Sequence, residues 1–187
     1  MACDNIDHKI FYDTVLALEP PSPVRVLPYL RPYVSVAVRQ AKGHWCGYVG
    51  LPKSHPWYGV SAYDDILDHN LDVTKISDIV EVHGGITYAS FHKPHGCEEP
   101  DLWWFGFDCG HAWDIVPLDN DWPSDGVYRN FEFVEDQLDK LVIQLELRGK
   151  LAPFYNPTFP GLIEEYKKLK NSIAAKRELD AQPLERP

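Results

Sequence analysis

The sequence predicts an α+β fold: a mostly antiparallel central sheet with two C-terminal helices packed against it. Three observations predict it. Strand-like segments crowd the middle of the chain, two helical stripes follow at its end, and no regular strand–helix–strand alternation of the kind that builds a parallel sheet is present.

Each element has its own signal. Tyr12 to Leu18 reads as a short amphipathic helix, stopped by Pro20, Pro21, Pro23, Pro28 and Pro32. Val34, Val36 and Val38 alternate with smaller or polar residues, the period of a strand. Trp45 to Leu51 is a second strand, where Gly47 and Gly50 imply a bulge or a close backbone approach. Residues 52–70 read as loop and short helix. Ile79 to Val82 is strand-like, and Gly84-Gly85 separates it from a further short strand at Ile86 to Ala89. Leu102 to Asp108 is the most aromatic strand, and Pro117 to Val127 is a loop rich in Asp, Asn, Pro and Gly.

The clearest helix spans Phe131 to Arg148. Val134, Leu138, Leu141, Val142 and Leu145 recur at helical spacing, Asn130 is its N-cap, and Arg148-Gly149 is its stop. A second helix is expected from Pro160 to Glu178, with Leu162, Ile163, Tyr166, Leu169 and Ile173 as its stripe. The domain reading is a single α+β unit over 1–178 and a flexible tail over 179–187.

Composition bounds the function. The 187 residues are 44% hydrophobic and 25% charged, as in an ordinary globular domain. No apolar run nears the roughly 18 residues that span a bilayer, so no membrane partner is expected. The start, MACDNIDHKI, lacks the basic-then-apolar order of a secretion signal, so the expected location is the cytoplasm. A net charge of −10 has the wrong sign for non-specific nucleic-acid binding, though a local site for a small anionic ligand remains open. The four cysteines form no CxxC pair. Phosphate-loop, dinucleotide-fingerprint, nucleophile-elbow and HExxH patterns are absent from the sequence.

Two segments concentrate polar groups among apolar residues and glycines: Glu81-Val-His-Gly-Gly-Ile-Thr-Tyr88, and Trp103-Trp-Phe-Gly-Phe-Asp-Cys-Gly-His-Ala-Trp-Asp114. Asp108, His111 and Asp114 are spaced by three and can converge at the end of a strand. His83, followed by two glycines, can reach the same point. Imidazole with carboxylate is the ligand set of zinc, manganese or iron, and such a set leaves a position open for water. His83, Asp108, His111 and Asp114 are therefore the catalytic and metal-ligating candidates. The alternatives are a metal-free acid–base site, or turn-capping aspartates beside a hydrogen-bonded core histidine. Cys109 beside His111 is a weaker nucleophile candidate, because acidic surroundings raise a thiol's pKa.

Further ligand-binding candidates are Lys53, His55 and Trp57 in LPKSHPWYG, then Thr87, Tyr88, Trp104 and Arg129. Lys53 and Arg129 suit an anion, while Trp57, Tyr88 and Trp104 suit a ring. The plainer reading of the 51–59 stretch is a proline-anchored loop with aromatics on the core. The His92, His95 and Cys97 cluster can ligate zinc or be a solvated loop. Between Lys93 and Lys140 stand twelve acids and three bases, either a solvated face or a surface for a basic partner.

Trp45-Cys-Gly-Tyr-Val-Gly-Leu-Pro52, then Val82-His-Gly-Gly-Ile-Thr-Tyr88, then Trp103 to Asp114 together resemble a group of small proteins from bacteriophages and bacterial genomes. The resemblance spans about Trp45 to Arg129. It implies a phage setting, hence a host-cell cytoplasm, and carries no mechanism with it. The expected function is a small hydrolase with a His/Asp site and a divalent metal, acting on a phosphoester or amide-like bond. The alternative is a non-enzymatic anti-defence protein that sequesters a nucleotide-like ligand or blocks a host protein through its acidic face.

Overall fold

The computed structural model describes residues 8–27, 32–68, 72–99, 101–119, 123 and 125–151. Helix α1 (His8–Leu18) leads into a five-stranded sheet built from β1 (Val24–Leu27), β2 (Val34–Arg39), β3 (Trp45–Leu51), β6 (Tyr88–Ser90) and β7 (Trp103–Asp108). The sheet order is β1-β2-β3-β7-β6, and every pairing is antiparallel. A separate hairpin joins β4 (Asp65–Leu67) to β5 (Val73–Lys75), and a single turn of helix, α2 (Ile76–Ile79), follows it. The long helix α3 (Phe131–Leu151) packs across β2 and β3. The class is α+β, as predicted. The second expected helix, from Pro160, and the 179–187 tail lie outside the described residues. Among those described, no helix is long and apolar enough to cross a membrane.

Alternation along the strands makes two cores. Ala37, Trp45, Val49, Phe105 and Phe107 face α3 and meet its buried stripe of Val134, Leu138, Leu141, Val142 and Leu145. Burying each large aliphatic or aromatic side chain contributes roughly 1.5–3 kcal/mol relative to exposure. Val36, Val38 and Trp104 point to the other face and pack with Cys97. The helix start is capped twice: Asn130 Oδ1 accepts the Phe133 N–H at 2.9 Å, and the Glu19 carboxylate, just past α1, accepts the Phe131 N–H at 3.1 Å.

Register between β3 and β7 matches small to large. Gly47 lies opposite Phe107, Gly106 opposite Tyr48 and Gly50 opposite Trp104. A Cβ on Gly47 would come within 2.5 Å of the Phe107 ring, and one on Gly106 within 2.5 Å of the Tyr48 ring. The glycines of β3 therefore mark close approach of rings and no bulge, since pairing runs unbroken from Cys46–Asp108 to Leu51–Trp103.

Four expectations need correction. Ile79 to Val82 is not a strand: α2 ends at Ile79, and an irregular segment leads to β6. Ile76 and Val80 are both buried, and a short apolar run cannot reveal which period it follows. The strand read at Ile86 to Ala89 starts two residues later and spans Tyr88–Ser90. The 52–70 stretch holds a strand, β4, as well as turns. Gly149 does not stop α3, which continues to Leu151. A Cβ there would meet His55 Nε2 at 2.8 Å, so the glycine lets the helix pass over a buried imidazole.

Candidate functional site

The site forms where β7 ends. Asp108 closes the strand, and its Oδ1 accepts the Gly110 N–H at 3.0 Å, turning the chain out of the sheet. A second turn follows at once: Asp114 N donates to His111 O at 2.9 Å, and His111 N donates to Asp114 Oδ2 at 3.1 Å. The spacing of three thus works through turns that fold the two aspartates back around His111.

His83 arrives from the other segment. Side chains of α3 hold that segment in place. Gln144 exchanges two hydrogen bonds with the Glu81 backbone, at 2.9 and 2.7 Å, and Gln137 Oε1 accepts the His83 N–H at 3.0 Å. The Phe133 ring packs edge-on to His83 at 5.2 Å. Gly84 and Gly85 then turn the chain with φ of +66° and +82°. Gly84 does more than turn: a Cβ on it would lie 1.9 Å from His111 Cε1, so the His111 ring occupies the space a side chain would take.

The two motifs therefore meet. His83 Nε2 is 2.7 Å from Asp114 Oδ2, and the His83 and His111 rings stand edge to face at 5.2 Å. His111 Nδ1 lies 3.4 Å from Asp114 Oδ2 and 3.9 Å from Asp108 Oδ1. Arg129 Nε donates to Asp114 Oδ1 at 2.9 Å, and its guanidinium stacks 4.8 Å above Phe133. Thr87 Oγ1 donates to Asp108 Oδ2 at 3.0 Å, joining that residue to the network.

Asp114 is the centre of this network, with a side chain only 1% exposed. Burial alone would raise its pKa. Hydrogen bonds from His83, Arg129 and the His111 backbone outweigh burial and hold the carboxyl below its usual range. His111 Nδ1 is buried and has no hydrogen-bond partner among the described residues, because its 3.4 Å approach to Asp114 lacks hydrogen-bond geometry. One donor atom from each of His83, His111 and Asp114 lies within 4.8 Å of the others, so these three can hold a metal ion. No other such group occurs among the described residues, the His92, His95 and Cys97 loop included.

The remaining candidates divide. Thr87 and Arg129 belong to the site, as above. His55 is a core histidine: its Nδ1 accepts the Trp57 N–H at 3.0 Å, which leaves Nε2–H to donate to Leu145 O at 3.1 Å. Burial, only partly opposed by Leu145 and Glu146, depresses its pKa. Trp57 is fully buried in the helix-side core, and Trp104 is buried on the opposite face of the sheet. Neither supplies a wall at the His–Asp cluster. Tyr88 packs against Tyr48 and donates to His92 O at 2.5 Å. Lys53 pairs with Asp101 at the surface, 3.0 Å away. Cys109 is 1% exposed, and burial, reinforced by Asp114 and Asp108, pushes its thiol far above its usual range, which opposes the nucleophile reading.

Phe133, Gln137 and Gln144 escaped the sequence reading. All three lie on α3, outside its apolar stripe and far in sequence from the segment they hold. His44 is the other addition. Its imidazole lies within 4 Å of where a Gly110 side chain would sit, beside Asp108.

A scan against protein-family models, a search of curated proteins and a search of solved structures each return no match for this chain. The fold and the geometry of the His–Asp cluster are what bear on its function.

Proposed function

We propose that His83, His111 and Asp114 bind one divalent transition metal, zinc, manganese or iron, and that the centre catalyses hydrolysis. The orphaned His111 Nδ1 carries the reading. A buried ring nitrogen with no hydrogen-bond partner, 3.4 Å from a buried carboxylate oxygen, costs about 1–3 kcal/mol unless something takes its lone pair. A metal does so. Two ligand atoms held about 2.0–2.1 Å from a tetrahedral ion lie roughly 3.3 Å apart, close to the 3.4 Å between Nδ1 and Asp114 Oδ2.

A bound metal supplies Lewis acidity and lowers the pKa of a coordinated water. The chain supplies the rest. Asp114 fixes the His83 ring, Phe133 and Gln137 fix the His83 position, and Gly84 seats His111. Asp108, held by Thr87 and Gly110, is the carboxylate placed to accept a proton beside His111.

A metal-free reading has one observation in its favour. His83 Nε2 and Asp114 Oδ2 are 2.7 Å apart, a hydrogen-bond distance shorter than two ligands of one ion normally keep. In that reading Asp114 orients His83, whose Nδ1 is the general base. Elemental analysis of untagged protein purified without chelator decides between them. About one equivalent of metal, lost in His111→Ala, supports the metal centre. Hydrolysis of phosphoesters that persists in fully chelated protein supports the metal-free pair. Absence of metal after soaking, with no hydrolysis in any form, rejects both.

A further inference from the structure

We propose that Arg129 is an oxyanion clamp, and that the substrate of this centre is a phosphoester rather than a neutral amide. This rests on the His–Asp cluster being the reacting site. Arg129 is held at two points: Nε donates to Asp114 Oδ1 at 2.9 Å, and the guanidinium plane stacks on Phe133 at 4.8 Å. Those contacts use one of its five donors. The two Nη groups make no hydrogen bond among the described residues, and the side chain is 26% exposed beside the cluster.

A guanidinium fixed through Nε presents its two terminal nitrogens as a fork. That fork matches two oxygens of a phosphoryl group, and little conformational entropy is lost when it binds one. Charge placement agrees. Arg129 is the sole lysine or arginine between residues 94 and 139, a stretch otherwise rich in acids. Asp114 neutralises its charge without occupying its outer donors. An anion bound there sits against the donor set of His83 and His111, where a metal's positive charge offsets Asp108. A neutral amide would leave the fork unused.

The test is calorimetric titration with inorganic phosphate and, separately, acetate, in chelated and in metal-loaded protein. The chelated arm keeps the clamp separate from the metal reading. Phosphate binding that survives chelation and weakens about tenfold or more in Arg129→Gln is the expected result. Since Arg129→Gln also removes a partner of Asp114 and can disturb folding, the second readout is made on the unaltered chain. Nitrogen NMR of ¹⁵N-arginine should show the Arg129 Nη signals shifting with phosphate. Phosphate binding only in metal-loaded protein, with unmoved Nη signals, overturns the clamp while leaving the metal centre standing. Acetate binding as tightly as phosphate overturns the phosphoester assignment.

Discussion

Gly84→Ala tests whether the site depends on the seat beneath His111. Two effects follow from the geometry. Gly84 has φ of +66°, and an L-residue there costs about 1–2 kcal/mol. The new Cβ would also lie 1.9 Å from His111 Cε1, where ordinary contact begins at 3.4 Å, so the ring must retreat by roughly 1.5 Å. A misplacement of about 1 Å in a reacting group can cost about a hundredfold in rate. Gly85→Ala separates the two effects, because Gly85 has φ of +82° and nothing within 4 Å of its would-be Cβ. Urea unfolding should therefore show both variants destabilised by about 1–2 kcal/mol from backbone strain. Metal content and hydrolysis should fall in Gly84→Ala alone. Equal losses of metal or activity in the two variants would refute the claim that the glycine exists to seat His111.

Other outcomes follow from the same contacts. His111→Ala should abolish metal binding while circular dichroism stays unchanged, since its side chain is one-third exposed and outside the main core. Asp114→Asn should lower stability by about 1–3 kcal/mol in urea unfolding, because it removes the charge that His83 and Arg129 both meet. His55→Leu should cost about 1–3 kcal/mol by stranding the Trp57 N–H, yet leave metal content intact. That cost should depend on pH. The depressed His55 pKa means that the unfolded chain takes up a proton near pH 6.5 while the folded chain does not. The stability this residue contributes is complete above that pH and declines as pH falls toward its folded value. The gap between the native chain and His55→Leu should therefore narrow below about pH 6.5.

Much of the fold was legible because its elements carry a pattern. The valines of β2 alternate, β7 is an aromatic run broken only by Gly106, and the aliphatic stripe of α3 keeps one helical face. The segment from Ile76 to Val82 shows no such pattern, and its burial comes from tertiary position. The residues of the candidate cluster were legible by chemistry, as histidines and aspartates standing among glycines and aromatics. What the sequence could not supply was distance. Nothing in one chain's order says that Gln137 reaches back to His83, or that Arg129 lands on Asp114. Trp104 misled for the same reason: it has the chemistry of a pocket wall, but its strand position turns it into core, whereas Trp57 is the core aromatic that the plainer reading of its loop expects.

The size matching across β3 and β7 also constrains how such a sequence can change. Phe107 fills the space above Gly47, and Tyr48 fills the space above Gly106, so no single enlargement at either glycine is accommodated. Substitution at these positions must proceed in pairs, a ring shrinking as a glycine grows. A one-residue slip of β7 is barred too, because it would turn Phe107 to the opposite face of the sheet. The strand that ends in Asp108 is thereby immobilised in register, and its last residue inherits that immobility. Drift along a lineage is then channelled away from this strand pair and toward the loops, with the position of the His–Asp cluster protected by packing several residues upstream of it.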